Sequence, residues 1–135
     1  MCLVETWLDC TKNKHFKVDN FDLISDFKRV ESRGGGVAIL SKYDLDLHVR
    51  PMLECGLEDF VREGIIECCG VTVEHKVFKF LLVNVYRPPY DESFLDFIDI
   101  LIILLGMLQV NFNLPLCVVG DFNVDSKEDT WKRKC

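Results

Sequence analysis

The chain has 135 residues, which is the length of one domain with a substantial core. Its hydrophobic fraction of 49% and charged fraction of 28% are typical of an ordinary soluble globular protein. The formal net charge of -6 argues against a protein that coats DNA through its phosphate backbone. It does not exclude a metal-dependent nuclease, whose acidic site needs a cation to approach phosphate.

The seven cysteines indicate a reducing compartment. Their number is odd and no two lie at C-x-x-C spacing, so neither a disulfide framework nor a zinc site is suggested. Cys117 and one of the pair Cys68 and Cys69 fall in apolar strand-like runs, where a free cysteine behaves as a small hydrophobe. The N-terminus has no basic segment followed by an apolar core, so no signal peptide is expected. We expect an intracellular protein, nuclear or cytoplasmic.

The first third of the chain contains several short strand candidates. Residues 1–8 have the composition of a strand end, residues 21–24 of a short strand, and residues 37–40 of a buried strand. Residues 45–49 alternate with a period of two, which predicts a half-buried strand. The glycines at 34–36 precede a strand and do not open a helix, so they do not match a nucleotide-binding loop. They indicate close backbone packing or a loose hairpin.

Two β-rich runs, residues 65–73 and 77–86, are separated by a short polar segment and predict a hairpin. Both faces of the second run are mostly apolar. This predicts a central strand that is covered on both sides. Pro88 and Pro89 end it.

A helix is predicted after this hairpin. Asp91 or Ser93 can cap it, and Asp96 lies in the first turns, where the helix dipole favours a carboxylate. Apolar residues recur at helical spacing at Phe94, Phe97, Ile98, Leu101, Leu104, Leu105 and Leu108.

A second face of this helix is also apolar, so another part of the protein should cover it; its residues are Ile100, Ile103 and Met107. The apolar segment 100–108 is short for a bilayer. A buried helix and no membrane span are therefore expected.

The last predicted strand, residues 116–119, leads into the segment G-D-F-N at residues 120–123. Strand, hairpin, crossover helix and strand together indicate an α/β layered fold. Because side chains two apart in an extended chain point the same way, Asp121 and Asn123 should project together from the end of this strand. A carboxylate beside an amide can hold a hard metal ion and orient water or phosphate. The alternative is a tight turn.

Polar residues follow apolar strands at three places: Glu5, Tyr86, and the pair Asp121 and Asn123. If these strands enter one sheet system, the side chains can meet at one edge. Glu5 and Asp121 would then bind a metal, Asn123 would orient phosphate or water, and Tyr86 would donate a hydrogen bond to phosphate. Alternatively, Glu5 is a solvated carboxylate and Tyr86 a core aromatic.

Four motifs together carry a family resemblance: E-T-W-L at 5–8, S-R-G-G-G-V-A-I at 32–39, V-Y-R-P-P at 85–89 and V-V-G-D-F-N at 118–123. In this order the chain resembles the endonuclease/exonuclease/phosphatase superfamily, which contains DNase I and the apurinic endonucleases. It is most similar to the endonuclease domains of non-LTR retrotransposons. The resemblance implies a DNase I-like layered β-sandwich flanked by helices, incomplete here. Residues 1–125 would form its N-terminal and middle part, and residues 126–135 a charged tail.

The resemblance also implies roles for the site residues. Glu5 matches the glutamate that binds Mg²⁺ (or Mn²⁺), and Tyr86 the tyrosine that contacts the scissile phosphate. Asp121 matches the aspartate at the metal site that aligns or activates the attacking water, with Asn123 beside it. The implied reaction is hydrolysis of a phosphodiester or phosphomonoester by in-line attack of water, with DNA as the partner.

The chain departs from the family pattern at both ends. Family members carry an asparagine on a strand before the Glu5 motif, and a Ser-Asp-His-like segment near their end. His15, His48 and His75 all precede Asp121, so none matches the family's histidine. Loss of such a group costs about 10²–10⁴-fold in rate. We therefore expect a truncated, weakly active or inactive copy. The alternatives are a non-catalytic remnant that packs against a partner polypeptide, and a phosphatase branch of the superfamily.

Overall fold

The computed structural model describes residues 1–8, 16–52 and 55–124. The predicted tail at 126–135 and His15 lie outside these ranges. The described elements, in chain order, are strands β1 (Cys2–Val4), β2 (Phe21–Phe27), β3 (Val37–Lys42), β4 (His48–Pro51), β5 (Glu67–His75) and β6 (Phe78–Tyr86), helix α1 (Phe94–Phe112) and strand β7 (Leu116–Asp121). Short 3-10 turns occur at Leu57–Asp59 and Asp91–Ser93.

The strands form two sheets that pack face to face. The smaller sheet has the order β1-β3-β2 and is antiparallel. The larger has the order β4-β5-β6-β7, in which β6 and β7 are parallel and the other pairs antiparallel. Helix α1 is the crossover that a parallel pair of consecutive strands requires. The predicted α/β layered sandwich flanked by a helix is confirmed.

Strand β6 is covered on both sides, as predicted. Its alternate residues Phe80, Leu82 and Tyr86 pack in the cluster between the two sheets. The residues between them face α1, where the buried cluster includes Leu81, Val83, Val85, Phe97, Leu104 and Leu108. The predicted hairpin is confirmed as β5 and β6, whereas the strand expected at 45–49 lies at 48–51 as β4.

A buried amide connects the two sheets. The Asn84 side chain on β6 is fully buried, and its Nδ2 donates to the carbonyl oxygens of Leu3 (2.8 Å) and Ala38 (3.1 Å). Because those carbonyls belong to β1 and β3, the two hydrogen bonds hold the smaller sheet against the larger one.

The N-terminus of α1 differs from the expected capping. Ser93 occupies the N-cap position, but no side-chain cap forms. Its hydroxyl instead donates to the carbonyl oxygen of Tyr90 at 3.0 Å. Asp96 lies in the first turn, as predicted. The helix ends at Asn113, which takes a left-handed backbone conformation and donates its N–H to Gln109.

The expectation of a buried α1 holds for one face only. The described residues leave the opposite face exposed, including Leu95, Ile102, Ile103 and Val110. Among the residues described, the segment Asp91–Phe112 is long and apolar enough to cross a membrane, with a mean hydropathy of 2.1 over 18 residues. One such helix is weak support for a membrane span, since core helices of globular proteins share these properties.

Cys68 and Cys69 are both buried, as suits small hydrophobic side chains, whereas Cys117 lies in a strand but is not buried. Cys117 is exposed because β7 is the last strand of its sheet in the described chain. Burial raises the pKa of the Cys68 thiol to about 12, so this cysteine stays a neutral core residue.

Gly120 allows β7 to approach β6 and should be the least replaceable glycine. It has φ +142°, and a Cβ there would lie 1.7 Å from the carbonyl oxygen of Val85. We expect Gly120→Ala to lower the free energy of unfolding by more than about 3 kcal/mol, because clash and backbone strain add. Urea denaturation measures the change.

Gly106→Ala is the matched control for this substitution. Gly106 lies in α1, and apart from its chain neighbours and the backbone of its own helical turns, no atom lies within 4 Å of an added Cβ. Alanine should therefore stabilise the helix by about 0.5–1 kcal/mol. Equal effects of the two substitutions would contradict the close approach at Gly120.

Candidate active site

The parallel pairing of β6 and β7 places Tyr86 beside Asp121. The two residues are register partners at the C-terminal ends of their strands. Register partners on neighbouring strands point to the same face of a sheet, so both side chains lie on the face that the smaller sheet covers. Tyr86 is buried, whereas Asp121, at the open end, is exposed.

Glu5 reaches the same edge from the other sheet. It follows β1 directly, and its Oε1 accepts a hydrogen bond of 2.5 Å from the Tyr86 hydroxyl. The structure therefore brings together Glu5, Tyr86 and Asp121 at one edge of the sandwich. The roles of these side chains stay predictions.

Tyr86 is a neutral hydrogen-bond donor at physiological pH. Burial of its ring raises the pKa of the phenol, and the hydrogen bond to Glu5 and the charge of that carboxylate raise it further. The phenol can therefore donate a hydrogen bond to an oxygen anion and remain un-ionised. This property suits contact with either a carboxylate or a phosphate oxygen.

Asn123 is placed differently from Asp121. The two side chains were expected to project together on the assumption of an extended backbone. Strand β7 instead ends at Asp121, and the backbone of Asn123 is left-handed, with φ +46°. The Asn123 N–H donates to Asp121 Oδ1 at 3.0 Å, and its Nδ2 donates to the carbonyl oxygen of Arg87 at 2.6 Å. The segment is therefore a turn that also presents an exposed carboxylate, so the two alternatives from the sequence combine.

Arg87 fixes this turn and was not predicted as a site residue. It is 2% exposed, and its Nη1 donates to the carbonyl oxygens of Asn123 (2.8 Å) and Phe122 (3.3 Å). Its Nη2 donates to the carbonyl oxygen of Tyr90 at 2.9 Å. Its backbone N–H donates to the carbonyl oxygen of Asp121 at 2.9 Å. The sequence feature that could have identified Arg87 is its position, since it is a charged residue directly after a central apolar strand.

Glu67 is the second important residue that the sequence did not predict. It is fully buried, and its Oε1 accepts a hydrogen bond from Arg29 Nε at 2.6 Å and forms an ion pair with Arg29 Nη2 at 2.6 Å. Its two oxygens also accept the N–H groups of Gly36 (2.6 Å) and Gly64 (3.2 Å). The signal was a carboxylate inside an apolar β-rich run, since a fully buried glutamate needs a partner.

The glycine loop packs against the chain next to Glu5. The carbonyl oxygens of Gly36 and Gly35 accept the N–H groups of Thr6 (3.3 Å) and Trp7 (3.0 Å). A Cβ at Gly36 would lie 2.6 Å from Thr6 Oγ1. The close backbone packing expected for these glycines is confirmed.

The donor set at this edge fits a hard divalent cation. Glu5 and Asp121 offer carboxylate oxygens, and Mg²⁺ takes one or two carboxylates and completes its shell with water and substrate phosphate. In the part of the chain that the structure describes, no three His, Cys, Asp or Glu residues lie close enough to hold a metal ion.

The model of the Endonuclease/Exonuclease/phosphatase family matches residues 1–130. The chain belongs to this family. No curated protein matched the chain. Members of the family are nucleases, other phosphodiesterases and phosphatases, which generally depend on divalent metals and often act on nucleic acids. The two sheets and the helix are consistent with a partial DNase I-like domain.

Arg87 should matter for stability because its hydrogen bonds are shielded from water. We expect Arg87→Met to lower the free energy of unfolding by about 3 kcal/mol, since carbonyl acceptors lose charged donors. Arg62 is the control, because its Nη1 also donates to two carbonyl oxygens, but at an exposed position. Arg62→Met should cost less than about 1 kcal/mol in urea denaturation. A larger loss for Arg62 would contradict the importance of the Arg87 bonds.

Glu63 holds the loop that leads to the glycines of this family domain. Its Oε1 accepts from the N–H and hydroxyl of Ser32, both at 2.6 Å, and its Oε2 from the N–H groups of Val30 (3.0 Å) and Glu31 (3.3 Å). Desolvation raises the pKa of Glu63, but the hydrogen bonds outweigh it and lower the pKa to about 2.

Glu63 should make stability depend on pH in the acid range. Its pKa in the fold is below the ordinary value of 4.5, so its contribution is present above about pH 4.5 and lost as the pH falls towards 2. From pH 7 to 5 we expect the urea midpoint of the wild type to be higher than that of Glu63→Gln. This difference should vanish near pH 2. A difference that is constant over this range would contradict the assignment.

Proposed function

We propose that this chain supplies the metal- and phosphate-binding side chains of a Mg²⁺-dependent phosphodiesterase that nicks DNA, of the type found in non-LTR retrotransposons. The observation that carries the proposal is the convergence of Glu5, Tyr86 and Asp121 at one edge, with the Tyr86 hydroxyl bonded to Glu5. Membership of the family supports hydrolysis at phosphate. A DNA substrate and the free thiols favour a nuclear or cytoplasmic protein.

Each side chain has a chemical task in this proposal. Glu5 and Asp121 would hold Mg²⁺ (or Mn²⁺), which when bound neutralises charge on the phosphoryl oxygens. Asp121 aligns or activates the attacking water, and the N–H of Asn123 orients its carboxylate through Oδ1. Tyr86, which stays protonated, donates to a phosphate oxygen when it releases Glu5.

An exposed indole supports DNA as the substrate over a phosphomonoester. Trp7 lies two residues after Glu5, is 68% exposed, and lies against Gly34. Aromatic side chains of this kind can stack on nucleotide bases. The E-T-W-L and Y-R-P-P motifs support the same branch of the family.

Metal binding tests the proposal directly. We expect Glu5→Gln and Asp121→Asn each to lower Mn²⁺ affinity by at least about tenfold, because each removes a carboxylate ligand. The electron paramagnetic resonance signal of free Mn²⁺ measures the affinity. Asp99→Asn, on the exposed surface of α1, is the control and should bind as the wild type does. Unchanged affinity in both site variants would contradict the proposal and favour a non-catalytic role.

The same variants test the substrate. Because none of its histidines matches the family's histidine, we expect this chain to nick supercoiled plasmid in Mg²⁺ only weakly or not at all. Any nicking that occurs should disappear with Asp121→Asn or with a chelator, and persist with Asp99→Asn. Nicking that survives Asp121→Asn would contradict the role of Asp121. Hydrolysis of a nitrophenyl phosphate monoester without nicking would favour the phosphatase branch.

A further inference from the structure

We propose that Glu67, neutralised by Arg29, is a positioning residue that holds Glu5 in its metal-binding conformation. The inference rests on the proposed function, because it concerns the same metal ligand. Glu67 is fully buried and bonds to Gly36, so it acts through the glycine loop.

The first step is the anchoring of the loop. Glu67 is the first residue of β5, and its Oε2 accepts the N–H of Gly36 at 2.6 Å. Arg29 Nε donates a hydrogen bond of 2.6 Å to Oε1, and its Nη2 forms an ion pair with the same oxygen at 2.6 Å, which keeps the pair neutral in the interior. A short bond from an amide to a carboxylate is stronger than a bond between neutral groups. Gly36 is therefore fixed to the larger sheet at the point where the chain enters β3.

The second step connects Gly36 to Glu5. The carbonyl oxygen of Gly36 accepts the N–H of Thr6, the residue after Glu5. Glu5 and Trp7 both have left-handed backbones, with φ of +50° and +54°. Residues with side chains keep such conformations only where the surroundings impose them. The glycine loop supplies such surroundings through its hydrogen bonds to the N–H groups of Thr6 and Trp7.

The third step is the position of Glu67 relative to Tyr86. The two residues are register partners on β5 and β6, and the Tyr86 hydroxyl bonds to Glu5. Glu67 thus supports Glu5 through the backbone, while its strand neighbour supports the carboxylate. Loss of the bond to Gly36 should release the backbone and leave the Tyr86 contact as the remaining restraint.

The test removes the acceptor without leaving a buried charge. In the double variant Glu67→Met/Arg29→Met both charges are replaced by apolar side chains, and such replacements of buried ion pairs are often neutral for stability. Gly36 N–H then has no carboxylate acceptor. We expect a folded protein whose Mn²⁺ affinity is about tenfold lower, as for the loss of a group that orients a metal ligand.

Two further variants separate positioning from general stability. Glu67→Gln/Arg29→Met retains an oxygen acceptor for Gly36 without leaving the Arg29 charge unpaired, and should recover most of the Mn²⁺ affinity. Glu63→Gln loosens residues 30–32 of the same loop but leaves the Glu67 bond to Gly36 in place, so it should bind Mn²⁺ as the wild type does. A folded double variant with wild-type affinity would overturn the inference.

The wild-type chain provides a second measurement if the double variant does not fold. Coupling between two sites is reciprocal. If the Gly36 bond favours the metal-binding form of Glu5, then Mg²⁺ must slow hydrogen exchange at the Gly36 amide. Exchange that Mg²⁺ does not change would overturn the inference. If Glu5→Gln leaves Mn²⁺ affinity unchanged, the proposed function fails instead, so the two failures are distinguishable.

Discussion

The buried ion pair of Glu67 and Arg29 is the constraint on which the arrangement of the two sheets depends. An ionised carboxylate in the interior is costly unless its partners neutralise and solvate it. Glu67 lies on β5 of the larger sheet, Arg29 follows β2 of the smaller sheet, and Gly36 precedes β3. The carboxylate therefore ties the ends of β2 and β3, an edge strand and the central strand of the smaller sheet, to the larger sheet. Asn84 adds a second polar connection further along.

The site is the consequence of where the strands end. The crossover through α1 makes β7 parallel to β6, and this brings Asp121 beside Tyr86 although the helix separates them in sequence. Gly120 permits the close approach of the strands, and Arg87 holds the turn that follows. The central strands are buried, but their ends open to solvent. Carboxylates there stay accessible while their backbones are fixed.

Much of the fold was predictable because burial leaves a local pattern. Apolar runs of strand length predicted β3, the β5–β6 hairpin and β7, and the helical spacing predicted α1. The exposed face of α1 was not predictable, since an apolar pattern shows that a face could be buried and not that a neighbour covers it. The partner of the Ser93 hydroxyl was not predictable either. The hydroxyl bonds to the carbonyl oxygen of Tyr90 and does not cap a helix N–H, although both groups are nearby in sequence.

The sequence by itself determined the family, the layered α/β class and the candidates Glu5, Tyr86 and Asp121, because motif order and strand ends are local properties of the chain. Only the tertiary structure decided that the Tyr86 hydroxyl meets Glu5, that Asn123 turns back to Arg87, and that Glu67 anchors the glycine loop. These contacts join residues far apart in sequence. They depend on sheet register and on left-handed backbone conformations, and neither leaves a periodic signal in the amino-acid order.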